Sequence, residues 1–97
     1  MLEVRSVQPL DRYWLRLTLS NGDVVERDVE AVLRGPLFAP VREQRAVFEA
    51  AFVDGGTVAW PGEVDIAPET IIWDGPEPVA APAHPPQRLK IRVVELN

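Results

Sequence analysis

The chain contains no cysteine. That removes disulfide frameworks, thiolate nucleophiles and thiolate metal sites together, and it fits a reducing compartment. Histidine is nearly as scarce. His84 is the sole one, lying in a Pro-rich stretch with no sequence neighbour to join it in a metal set or a catalytic triad. No apolar run approaches the roughly 20 residues a membrane helix needs. Met1-Leu2-Glu3-Val4-Arg5 lacks the basic-then-apolar order of a secretory signal, so a cytoplasmic location away from membranes is expected. A phosphate-cradling glycine loop is also missing, because Asp54-Gly55-Gly56 is not followed by Lys and Ser or Thr. Ser6 and Ser20 lack the setting of an activated nucleophile. The expectation is a non-enzymatic protein with no catalytic residues, no metal site and no cofactor.

What remains is a 97-residue chain, 46% apolar and 26% charged, enough for one small domain with a modest core. The net charge of −5 is unevenly placed. Residues 1–75 hold seven Arg against thirteen Asp or Glu, whereas residues 76–97 hold Arg88, Lys90 and Arg92 against Glu77 and Glu95. An acidic body repels phosphate backbones, so it is not expected to bind nucleic acid non-specifically.

Periodicity gives an α+β reading: a small, mostly antiparallel sheet with two or three short helices, then a Pro-rich linker and a C-terminal strand. Leu2 to Val7 is a strand. Tyr13 to Leu19 alternates, with Tyr13, Leu15, Leu17 and Leu19 on one face and Trp14, Arg16 and Thr18 on the other. Val24 to Val29 follows as its hairpin partner. Asn21-Gly22 suggests a two-residue loop, but that register sets Leu17 against Glu26 and Arg16 against Arg27. A three-residue loop, Ser20-Asn21-Gly22, sets Leu17 against Val25 and Arg16 against Glu26, leaving one apolar face and one cross-strand ion pair. The odd loop is therefore expected, with Gly22 left-handed. Glu30 to Arg34 suits one helical turn stopped by Gly35, and Pro36 to Val41 an irregular or short helical piece. Gln44 to Ala51 is expected to be a helix burying Val47, Phe48 and Ala51. Thr57 to Trp60 reads as a strand. Pro68 to Trp73 reads as a short helix, since Pro suits a first turn.

After Asp74-Gly75 the composition changes. Five prolines fall between Pro76 and Pro86, an extended linker. The expected organisation is 1–75 as the α+β domain, 76–87 as linker and 88–97 as a basic strand. That strand, Arg88 to Leu96, closes either its own sheet or a neighbour's, the second arrangement making a homodimer.

The opening strand, Leu19-Ser20-Asn21-Gly22, Arg27-Asp28-Val29, Gly35-Pro36-Leu37-Phe38, Phe48 and Trp60-Pro61-Gly62 with Asp65-Ile66-Ala67-Pro68-Glu69 form an ordered pattern over residues 2–73. It resembles domain-of-unknown-function family 2442. The resemblance implies a small α+β domain, often encoded beside another small protein in arrangements suggestive of toxin–antitoxin pairs. Some members carry a helix-turn-helix domain after this one. Residues 76–97 depart from that, being too short for such a domain. The resemblance carries over no catalytic residues.

Candidate sites follow. Trp60, Pro61, Gly62, Asp65, Pro68 and Glu69 are expected to be structural: Trp60 as a core tryptophan covering the sheet, Asp65 as an acceptor for turn N–H groups, and Glu69 at a helix start. The alternatives are a partner-facing Trp60 and an Asp65/Glu69 acid–base pair, which requires both carboxylates in one pocket. Partner-binding candidates are Trp14, Trp73, Arg88, Lys90 and Arg92, the last three either gripping an acidic partner or forming a solvated edge. The leading reading is a protein–protein interaction domain, antitoxin-like toward a small protein encoded nearby. The alternative is a nucleic-acid-linked regulator using the basic C-terminal strand.

Overall fold

A computed structural model describes residues 1–92. The central hairpin takes the three-residue loop. β1 (Val4–Pro9), β2 (Trp14–Leu19) and β3 (Val24–Asp28) run antiparallel in order, with Leu17 opposite Val25 and Arg16 opposite Glu26. Gly22 sits at φ 91°, where a Cβ would be strained. The Asn21 side-chain oxygen accepts from the Asp23 N–H at 3.0 Å and completes the turn. This register puts Leu15, Leu17, Leu19, Val25 and Val29 on the buried face, all within 1% of fully buried.

After β3 the chain makes 3-10 turns at Glu30–Val32 and Pro36–Phe38. The helix expected from Gln44 to Ala51 is shortened to α2 (Arg45–Phe48), and a separate α1 (Ala39–Glu43) precedes it, with Gln44 extended between them at φ −117°, ψ 107°. Tertiary contacts decide this. The Tyr13 hydroxyl takes the Arg42 carbonyl at 2.8 Å, and the Arg45 guanidinium, stacked 4.8 Å from the Phe48 ring, donates to the Leu10 and Arg12 carbonyls. Past Phe48 the bonds tighten to three-residue spacing (Ala51 N–H to Phe48 C=O, 3.2 Å), and the helix ends there.

The remaining strands form a second sheet rather than extending the first. β4 (Phe52–Asp54), β5 (Thr57–Trp60) and β6 (Val64–Asp65) pair antiparallel in that order. α3 spans Pro68–Trp73, the predicted residues. The core lies between the inner face of the main sheet, the small sheet and the helices, and includes Phe48, Val58, Trp60, Ile66, Ile71, Ile72 and Ile91.

The C-terminal strand closes its own sheet. β7 (Arg88–Lys90) pairs parallel with β3, giving the order β1-β2-β3-β7. Parallel pairing needs a long crossover connection; here it is residues 29–87, and the stretch 76–87 makes the final run back to the sheet. That segment is fastened on the way: the Asn21 amide donates to the Ala83 carbonyl at 2.9 Å, His84 Nδ1 lies 2.8 Å from Asp23 Oδ2, and Pro85 is buried. Positions 93–96 of the expected longer strand lie outside the described residues.

Candidate functional site

Among the described residues no helix covers the outer face of the main sheet. Its side chains fall in cross-strand rows. Gln8, Arg16, Glu26 and Arg88 form one, with Trp14, Asp28 and Lys90 on one side of it and Ser6, Thr18 and Val24 on the other. Ser6, Gln8, Arg16, Val24, Arg88 and Lys90 are exposed, and Trp14 is half-buried. The Glu26 carboxylate accepts from Arg16 at 3.1 Å and from Arg88 on the opposite flank. The Arg88 guanidinium lies 3.7 Å from the Trp14 ring centroid, a cation–π contact. Asp28 is tied back to the turn, accepting the Glu30 N–H at 3.0 Å. The Lys90 side chain has no hydrogen bond or ion pair among the described residues. The result is an aromatic ring beside a ladder of charges on a four-stranded sheet.

Of the predicted partner-binding residues, Trp14, Arg88 and Lys90 converge here. Arg92 does not. It leaves the ladder, donates its N–H to Asp74 at 2.8 Å and holds its guanidinium 3.7 Å from the same carboxylate. Trp73 is half-buried at the end of α3, in a cleft with Met1, Leu2, Pro68 and Glu69.

The Trp60 stretch is structural in most of its parts. Trp60 is fully buried, stacks on Phe48 with ring centroids 6.0 Å apart, and donates its indole N–H to the Phe48 carbonyl at 2.9 Å. Gly62, at φ 97°, follows Pro61 in the turn between β5 and β6. Pro68 occupies the first turn of α3, with Glu69 beside it near the positive end of the helix. Asp65 is the correction. Its carboxylate is exposed at the end of β6 and accepts no turn N–H among the described residues. The adjoining backbone is satisfied otherwise, by the Thr57 hydroxyl donating to the Ile66 carbonyl and by the Ile66 N–H donating to Val58. Asp65 lines a hollow with Phe52, Asp54 and Glu63, while Glu69 lines the Trp73 cleft. Among the hollows of the described residues, the two carboxylates line different ones.

Two residues acquire roles that sequence reasoning missed. Arg27 is fully buried. It reaches from β3 to the end of α3, donating Nε–H to the Ile71 carbonyl at 2.8 Å and an Nη2 N–H to the Ile72 carbonyl at 3.0 Å. These are carbonyls the last helical turn leaves unpaired, at the negative end of the helix. Burial pushes the guanidinium down to about 10. The signal was present, because the odd-loop register places Arg27 on the apolar face between Val25 and Val29. His84 is the second. The hydrogen bond from His84, then that from Asn21 and last the His84 charge, hold the Asp23 carboxyl below its usual value against a smaller effect of burial.

Fold and face together define a small α+β domain with one open, charged sheet face bearing a single tryptophan. The sequence model of the family described as "Protein of unknown function (DUF2442)" matches residues 4–75, and the chain belongs to that family. No curated protein matches. Among solved structures, the chain is similar to the crystal structure of the "Putative DNA Binding Protein NE0471" from Nitrosomonas europaea ATCC 19718, at 34% identity and a TM-score of 0.56. That similarity covers 64% of this chain and 41% of the other, so the chain spans less than half the length of that relative. Among the described residues no helix is long and apolar enough to cross a membrane.

Proposed function

We propose that this chain is a non-enzymatic interaction domain that engages a protein partner across the outer face of its main sheet. The observation that carries this is Trp14, an aromatic half-exposed on a face no helix covers, flanked by Arg16, Glu26, Arg88 and Lys90. Tryptophan and arginine dominate interface hot spots, and a charged surround selects partner and orientation. The family resemblance favours a small protein encoded nearby, in an antitoxin-like pairing.

The test is affinity capture from native lysate with nuclease treatment, run in parallel with wild type and Trp14→Ala. A stoichiometric small protein held by wild type and lost from the variant supports the reading. Equal recovery on both sinks the sheet-face version. Truncating residues 76–97 is not a clean alternative, because Ile91 belongs to the core.

A second reading has its own support. Arg16, Arg88 and Lys90 beside an aromatic ring suit a single-stranded nucleic acid, which stacks bases on aromatics and lays phosphates along cations. The similarity to NE0471 points the same way by its name. The net charge of −5 opposes it. Absence of binding to a single-stranded oligonucleotide at about 50 mM salt, where phosphate contacts are strongest, would end this reading.

A further inference from the structure

Beside the edge of the main sheet lies a hollow lined by Glu30, Leu33, Arg34, Gly35, Arg42 and Lys90. Three separate segments each bring a cation to it: the turn after β3, α1 and β7. Arg42 is held in place, its Nη1 donating to the Leu33 carbonyl at 2.7 Å and reaching the Gly35 carbonyl at 3.3 Å. Gly35, at φ 78°, turns the chain in a conformation that side chains rarely adopt. Glu43 meets Arg42 at 3.3 Å on an exposed flank. The side chains of Arg34 and Lys90 have no hydrogen bond or ion pair among the described residues. Three cations therefore line it with Glu30 as the sole acid among the described lining residues, in a protein whose net charge is −5.

We propose that this hollow is an oxyanion site that takes a phosphoryl group. A carboxylate presents one planar edge, best met by a single guanidinium fork. A phosphoryl group presents oxygens in three directions, which matches donors arriving from three segments. The fixed Arg42 supplies the preorganised part, and the flexible Arg34 and Lys90 close on the anion. This goes beyond the sheet-face reading and does not depend on Trp14.

The probe is inorganic phosphate, titrated against the full chain and followed by backbone amide NMR shifts, with acetate at matched ionic strength as control. Saturable shifts centred on Arg34, Gly35 and Lys90 are expected with phosphate and not with acetate. Arg34→Ser and Lys90→Ser, both at exposed positions, should each weaken phosphate by about tenfold, the loss of roughly one charge-assisted contact. Arg5→Ser, on β1, and Trp14→Ala should leave it unchanged. Equal shifts with acetate, or wild-type phosphate affinity in Arg34→Ser, would overturn the proposal. Adding a short single-stranded oligonucleotide to the phosphate-loaded protein separates the two sources of the group. Displacement of phosphate assigns the hollow to a nucleic-acid backbone, and retention assigns it to a small phosphorylated molecule.

Discussion

Arg27 is where one side chain does most for this fold. A buried cation is costly to desolvate, and here it is compensated by carbonyls rather than by a carboxylate. Its three hydrogen bonds reach Glu26, Ile71 and Ile72. Arg27→Met retains much of the volume but strands two helix-end carbonyls, so unfolding free energy should fall by about 2–4 kcal/mol. Arg27→Lys should recover only part, since an ammonium cannot reproduce the fork. Urea denaturation of the three proteins checks both. A Met variant as stable as wild type would show that water or the backbone satisfies those carbonyls. His84 acts more weakly. It lowers the Asp23 carboxyl, so the pair stabilises the fold above the ordinary value of 3.8 and loses that contribution as pH falls through the lowered one. In His84→Ala the Asp23 titration, followed by side-chain carboxyl NMR, should move up toward 3.8. An unmoved titration would mean that Asn21, its other hydrogen-bond partner, suffices.

Elements differ in how far they could be read from sequence. The β2–β3 register was legible because one choice of loop set Leu17 against Val25 and Arg16 against Glu26, whereas the other set Leu17 against Glu26 and Arg16 against Arg27. α3 was legible because Pro68 marks a start and Asp74-Gly75 an end. The separate α1 and the short extent of α2 were not, since Arg42 and Arg45 are held by contacts from Tyr13, Leu10 and Arg12, about 30 residues away in sequence. The site was half legible. Alternation put Trp14, Arg16, Arg88 and Lys90 on faces, but only the parallel pairing of β7 with β3 brings Arg88 over Trp14. That pairing also makes the tail part of the cooperative unit, though the family match ends at residue 75. Ile91 is fully buried and donates its N–H to the Asp28 carbonyl at 2.9 Å. Ile91→Ala should therefore cost about 2–5 kcal/mol, as buried aliphatic truncations do. The measurement is again urea denaturation, with hydrogen exchange of the β3 amides as the local readout. A cost below ~1 kcal/mol would mean the tail docks without belonging to the core.

At the scale of the whole molecule, charge is segregated. Arg16, Arg88 and Lys90 lie on the main sheet, with Arg34 and Arg42 in the hollow that Lys90 also lines, while Asp54, Glu63 and Asp65 line the hollow of the small sheet. Glu26 and Asp28 lie among the sheet-face cations, so the excess there is small, but an acidic protein with a locally cationic region still steers anionic partners toward it. Affinity and salt response then separate the two readings of the sheet face. If a protein partner is anchored on Trp14, Trp14→Ala should remove about 2 kcal/mol or more of binding, mostly through faster dissociation. Lys90→Ser should mainly slow association and flatten its salt dependence. If a single strand binds, the dominant effect reverses. Each phosphate contact contributes about −0.7 to the slope of log affinity against log salt, so three cations predict a slope near −2, and Lys90→Ser should make it shallower by about 0.7. Surface plasmon resonance over a range of salt concentrations, on wild type and both variants, gives slope and rates together. A modest salt dependence carried by the association rate, with a large Trp14→Ala loss through faster dissociation, fits the protein partner. An affinity slope near −2 that Lys90→Ser makes shallower by about 0.7, with a modest Trp14 effect, fits the nucleic acid.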